Sequence, residues 1–85
     1  MITSIDISYY PLQEEYIPPI LDFIERLRKH KNIRVQSNGM STQVFGEFRL
    51  VMEILRDEIE TSFVVPQSVF VLKIINSDLQ FYSNH

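Results

Sequence analysis

Asp6, Ser8 and Tyr10 alternate at spacings of two near the start of the chain, and Gln36, Ser41, Gln43 and Phe45 cluster near its middle. On extended backbone each set projects from one face, because strand side chains alternate with a period of two. Together they offer a carboxylate, hydroxyls, two amides and two flat rings. Such a mixture suits a planar heteroaromatic ligand, gripped by stacking and oriented by a few hydrogen bonds. The plainer reading is that they are surface polar residues at a dimer rim, and on pattern alone that reading is the stronger. No reactive set competes with either. His30 lies in a basic helix end and His85 is the last residue, and neither has a carboxylate or histidine companion at ligand spacing. Both read as surface residues. Ser41 lacks a nucleophile-elbow context and a neighbouring base. Asp57, Glu58 and Glu60 read as a solvated face, and Gly39 and Gly46 are too far apart for a phosphate loop. No catalytic residue, metal ligand or cofactor is expected.

Composition narrows the classes further. The 85 residues have room for one small core, and 45% hydrophobic with 22% charged residues is ordinary for a soluble domain. A formal net charge of −3 and a pI near 5.2 argue against a nucleic-acid partner, which needs clustered positive charge. Without cysteines there is no disulfide and no thiolate site. No signal peptide is visible, and no apolar run approaches the roughly 20 residues that span a bilayer. A cytoplasmic protein without membrane contact is the expectation.

The elements that must position the polar residues follow from periodicity. Residues 1–10 read as a strand with Ile5, Ile7 and Tyr9 on one face and Ser4, Asp6, Ser8 and Tyr10 on the other. Pro11 ends it. A helix falls within 14–31, with Ile17, Ile20, Leu21, Ile24 and Leu27 as its apolar stripe. Pro18 and Pro19 fix its first turn, where no intrahelical N–H bond is lost, and Asn32 is expected to cap it in a left-handed conformation. A hairpin spans 33–45. Asn38-Gly39 predicts a two-residue type I′ turn with positive φ at both positions. Ile33 then lies opposite Val44, Val35 opposite Thr42 and Ser37 opposite Met40 on one face. Arg34 faces Gln43 and Gln36 faces Ser41 on the other, with Phe45 at its end. A second helix covers Phe48–Ser62, with Val51, Ile54, Leu55 and Ile59 turned inward. The last strand is Ser68–Ile75, with Phe70, Leu72 and Ile74 towards the helices and Val69, Val71, Lys73 and Ile75 away from them. The tail from 76 onward is left open, though Phe81 and Tyr82 could dock on the domain.

Strand, helix, strand, strand, helix, strand predicts one α+β ferredoxin-like domain over 1–85. Its βαββαβ chain forms a four-stranded antiparallel sheet with two helices on one face. The other sheet face then carries apolar side chains that no element covers. A second copy packing sheet to sheet is the simplest occupant, so a homodimer or higher homo-oligomer is expected.

The segments Ile7-Ser8-Tyr9-Tyr10-Pro11-Leu12 and Gly39-Met40-Ser41-Thr42-Gln43-Val44-Phe45-Gly46-Glu47 resemble the YkoF-like thiamine/hydroxymethylpyrimidine-binding family. There a strand ending in Tyr-Pro precedes the first helix, a Met-Ser-Thr segment begins the third strand, and a Gly closes that strand. Tyr10, Pro11, Ser41 and Thr42 match directly. The resemblance implies a non-enzymatic domain, assembled by sheet packing, that binds thiamine or its hydroxymethylpyrimidine portion. Some relatives carry two such domains in tandem, whereas this chain has one. On this reading the ring lies against Tyr10 or Phe45. Ser41 and Gln43 contact its nitrogens and amine, Asp6, Ser8 or Glu47 takes a remaining donor, and Thr42 supports the strand. The alternative is a regulatory or interaction module whose open sheet serves only homo-oligomerisation.

Overall fold

The computed structural model describes residues 1–80. Its elements run β1 (Ile2–Pro11), α1 (Ile17–Arg28), β2 (Arg34–Ser37), β3 (Thr42–Glu47), α2 (Phe48–Ser62) and β4 (Ser68–Ile75). The strands form one antiparallel sheet in the order β2-β3-β1-β4, the ferredoxin-like arrangement. Both helices cover one face. Ile5, Ile7 and Tyr9 of β1 and Val44 of β3 are buried there against Phe23 and Leu27 of α1 and Val51, Ile54 and Leu55 of α2. Complete burial of one such side chain is worth about 1.5–3 kcal/mol, so the inward face of β1 decides which way up the sheet lies. Tyr9 stacks on Phe70 at 4.1 Å between ring centroids, and Phe23 meets both rings edge-on.

The hairpin differs from the expected one in its turn and register. Val35 pairs with Val44 and Ser37 with Thr42, leaving the four residues 38–41 as the loop. No glycine has positive φ. Instead the Asn38 carboxamide oxygen accepts the Met40 and Ser41 amides at 2.8 and 3.1 Å, and the Asn38 N–H donates to the Ser41 carbonyl. The asparagine thus builds the turn with its side chain, an alternative to the left-handed route. Relative to the expected register the pairing is displaced by two residues. An even displacement keeps every side chain on its face, so Val35 and Thr42 share the helix side but are not direct neighbours.

Helix α1 is shorter than its apolar run. It begins with Pro18 and Pro19 in the first turn and ends at Arg28, with Lys29 rather than a left-handed Asn32 at the cap. Its inward side is Ile20, Phe23 and Leu27, while Ile17 and Leu21 are exposed. Phe23, absent from the expected stripe, is fully buried. On β4, Phe70 and Leu72 meet the core, but Ile74 remains 49% exposed because neither helix packs broadly on this strand. The expectations for Phe81, Tyr82 and His85 lie outside the described residues.

An ionic clasp joins the helices. The Arg26 guanidinium donates to the Glu58 carboxylate at 2.6 Å, to the Glu58 carbonyl, to Ser62 Oγ and to Asp22. His30 Nε2 lies 2.8 Å from the other Glu58 oxygen. His30 therefore has the carboxylate companion that sequence spacing did not reveal, and Glu58 is not part of a solvated face. Burial opposes its ionisation, but the hydrogen bonds from His30 and Arg26 outweigh that and hold its carboxyl below the ordinary value.

The two glycines have opposite roles. A Cβ on Gly46 would lie 2.8 Å from Cγ2 of the buried Val51, whereas one on Gly39 would meet nothing within 4 Å. Val51 is stiff at χ1 and cannot swing aside. Gly46→Ala should therefore lower stability by about 1–3 kcal/mol through overpacking, and Gly39→Ala should leave it within about 0.5 kcal/mol. Urea denaturation of both variants checks the pair.

Candidate functional site

On the face away from the helices, the strand registers bring side chains from distant parts of the chain into rows. One row runs Gln36, Gln43, Asp6 and Lys73 across β2, β3, β1 and β4. The next runs Arg34, Phe45, Ser4 and Ile75. Between and around them lies a groove of about 540 Å³, lined also by Asn38, Ile74 and Leu79. That volume falls within the range of about 300–1,000 Å³ usual for small-molecule sites.

Asp6 is the centre of the first row. Its Oδ1 accepts Ser41 Oγ at 2.6 Å and Gln43 Nε2 at 2.8 Å, and Gln43 Nε2 also donates to Ser41 Oγ at 2.9 Å. The Asn38 carboxamide reaches Gln43 Oε1 at 3.4 Å and steadies it weakly. The Ser41 hydrogen bond holds the Asp6 carboxyl below its ordinary value. The Gln43 amide and the positive charge of Lys73 act in the same direction and outweigh partial burial. Both holders use Oδ1, so Oδ2 accepts from no side chain or amide among the described residues. The arrangement is a fixed, ionised acceptor in a groove, flanked by amides and an ammonium group.

The expected site residues divide into separate groups. Asp6, Gln36, Gln43 and Phe45 line the groove together. Ser41 reaches it only through Asp6 and Gln43, and also lines a cleft of about 120 Å³ with Ser8, Tyr10 and Met40. The last pairing of β1 with β3 is Ile7 with Thr42, so Ser8 and Tyr10 run on past the end of β3 beside Val71 and Val69. Tyr10 is six residues along the strand from Ser4, about 20 Å at 3.3 Å per residue, so one ring cannot rest on both Tyr10 and Phe45. Thr42 is buried on the helix side, where its hydroxyl meets Ser37 Oγ at 3.0 Å. Glu47 is engaged elsewhere as well, since its carboxylate accepts the Leu50 amide at 3.0 Å and caps α2. Phe45 is in the groove but only 5% exposed.

Sequence reading put Ser4 and Lys73 on this face but counted neither of them, nor Asn38 or Leu79, among the site residues. Lys73 carried a usable signal, since it is the one charged residue of the last strand and antiparallel pairing with β1 sets it beside Asp6. Among the described residues no group of three or more His, Asp or Glu side chains is placed to hold a metal ion. No helix among them is long and apolar enough to cross a membrane.

No family model and no curated protein matches the chain. Solved structures do. Protein SP2199 from Streptococcus pneumoniae superimposes with a TM-score of 0.85 at 23% identity, covering 99% of this chain and 97% of its own. A "putative thiamine biosynthesis/salvage protein" from Thermotoga maritima gives 0.81 at 19% identity, covering 91% and 85%. A hypothetical protein from Methanocaldococcus jannascii gives 0.78 at 21% identity, covering 91% and 81%. At these identities the likeness carries the fold; function does not follow from fold alone.

Because Asp6 is held below its ordinary value of 3.8, it adds stability that is full above that pH and is lost as pH falls through its folded value. NMR titration of the Asp6 carboxyl should find the midpoint below 3.8 in the wild type and shifted upward in Ser41→Ala. A midpoint unmoved by that substitution would contradict the geometry.

Proposed function

We propose that this chain binds a small planar heteroaromatic bearing an amine, thiamine or its hydroxymethylpyrimidine portion, without transforming it. Its role would be sequestration or delivery. The observation that carries the reading is Asp6: an ionised carboxylate in a groove, one oxygen held by Ser41 and Gln43 and the other free for a ligand donor. An aminopyrimidine presents adjacent donors and acceptors along one edge. The Asp6 carboxylate takes the amine, the Gln36 carboxamide supplies a donor or an acceptor, and Gln43, whose amide donates to Asp6 and Ser41, offers its carbonyl oxygen. Phe45 forms an apolar floor. The positive thiazolium of thiamine suits a chain of net charge −3. The sequence resemblance and the fold shared with the Thermotoga maritima protein support this choice of ligand over other amines.

Calorimetry with thiamine and with hydroxymethylpyrimidine tests it. Asp6→Asn should lose about 1.5–3 kcal/mol, a hydrogen bond to a charged group, and Ser41→Ala, which acts only by loosening Asp6 and Gln43, should lose less. Tyr10→Ala, outside the groove, should bind as wild type does. No heat with either compound would remove the ligand from the proposal.

A homo-oligomer belongs to the same reading. Val69, Val71 and Ile75 are all substantially exposed on the uncovered sheet face, Val71 at 51%, and a second copy packing sheet to sheet would bury them. If the sheet served oligomerisation alone, this contact would persist without any ligand. Val71→Asp should weaken the assembly by burying an unpaired charge. Sedimentation of the wild type as a monomer at high micromolar concentration would refute it.

A further inference from the structure

We propose that Ser4 and the Ser77–Leu79 turn form a latched strap across one end of the groove, and that releasing this latch opens the groove to its ligand. The inference rests on the groove being the binding site. Ser4 lies on the sheet face that neither helix covers, yet it is only 6% exposed. Its hydroxyl donates to the Ser77 carbonyl at 2.7 Å and accepts the Leu79 amide at 2.8 Å. One side chain thus uses its donor and an acceptor position on the same turn. The other hydrogen bonds of this turn stay within it, between Asp78 and Gln80. Among the described residues, Ser4 is therefore the one hydrogen-bonding tie from strap to sheet.

The position of that tie gives it a consequence. Ser4 stands between Phe45 and Ile75 in its row, and two residues from Asp6 on the same strand face. Leu79, held by the tie, lines the groove together with Phe45, which is only 5% exposed. The single aromatic ring among the described lining residues is thus shut in at rest, whereas a stacking ligand needs its face. Two neutral hydrogen bonds to one hydroxyl are a weak restraint by the standards of a folded domain, and segments of that kind open locally without global unfolding.

The full chain serves for the test. In Ser4→Ala the Leu79 amide should exchange its hydrogen on the order of tenfold faster, with the central amides of β1 unchanged. A single thiol introduced as Phe45→Cys, in a chain that has no cysteine, should react faster with N-ethylmaleimide when combined with Ser4→Ala. Should that reporter fail to fold, the Leu79 exchange comparison needs no thiol and still tests the latch. Thiamine should associate faster with Ser4→Ala than with the wild type. Unchanged exchange at Leu79 overturns the latch, and faster exchange with an unchanged thiol rate overturns the opening. If exchange and thiol reactivity both rise while thiamine binds neither protein, the strap stands and the choice of ligand falls.

Discussion

Strand β1 is hydrogen-bonded on both sides, to β3 and to β4, and everything else is arranged on its alternation. A central strand cannot slip by one residue without turning its whole apolar set to the opposite face. Ile5, Ile7 and Tyr9 therefore anchor the core beneath the helices, and the same constraint delivers Ser4, Asp6 and Ser8 to the other side. The groove exists because the partners of β1 come from opposite directions in the chain. Gln43 arrives with the hairpin and Lys73 with the last strand, and both meet at Asp6. A polar centre assembled this way has its backbone positions fixed by the sheet registers.

The helix layer contributes from outside. The Arg26 guanidinium reaches Glu58 and Ser62 across the two helices, and the Glu58 carboxylate is shared with His30. These contacts fix how α1 lies along α2, and so how Phe23 and Leu27 present themselves to β1. Beneath β3, the close approach of Val51 to Gly46 brings the start of α2 onto the strand that leads into it. Glu47 then serves both elements, paired with Ile2 in the sheet and capping the helix through its side chain.

Much of this was legible in the sequence because it depends on period and punctuation. Helix α2 and strand β4 have the bounds that alternation and Pro66 imply, and the two faces of β1 read directly from residues 4–10. The hairpin misled because Asn38-Gly39 has two ways to turn, and the asparagine used its side chain instead of positive φ. Helix α1 misled because its sequence carries more apolar residues than one stripe, and Phe23 rather than Leu21 turns inward. Asp6, Gln36, Gln43 and Phe45 share the groove face, as strand parity implied. Glu47 and Tyr10 did not join them: a helix cap claimed one, and the short reach of β3 stranded the other. The Ser4 contact was invisible, since it joins residues 73 positions apart through a segment with no regular structure.

The loop at 38–41 closes on itself through Asn38 and touches the site through the Ser41 hydroxyl. Its scaffolding and its message to Asp6 are thus carried by different atoms. An exchange of loop sequence that retains the asparagine could add or remove the hydroxyl, resetting the proton affinity of the groove while the sheet registers stay as they are. On the proposed reading, ligand preference would then be a modular trait, open to drift by changes too small for the core to feel.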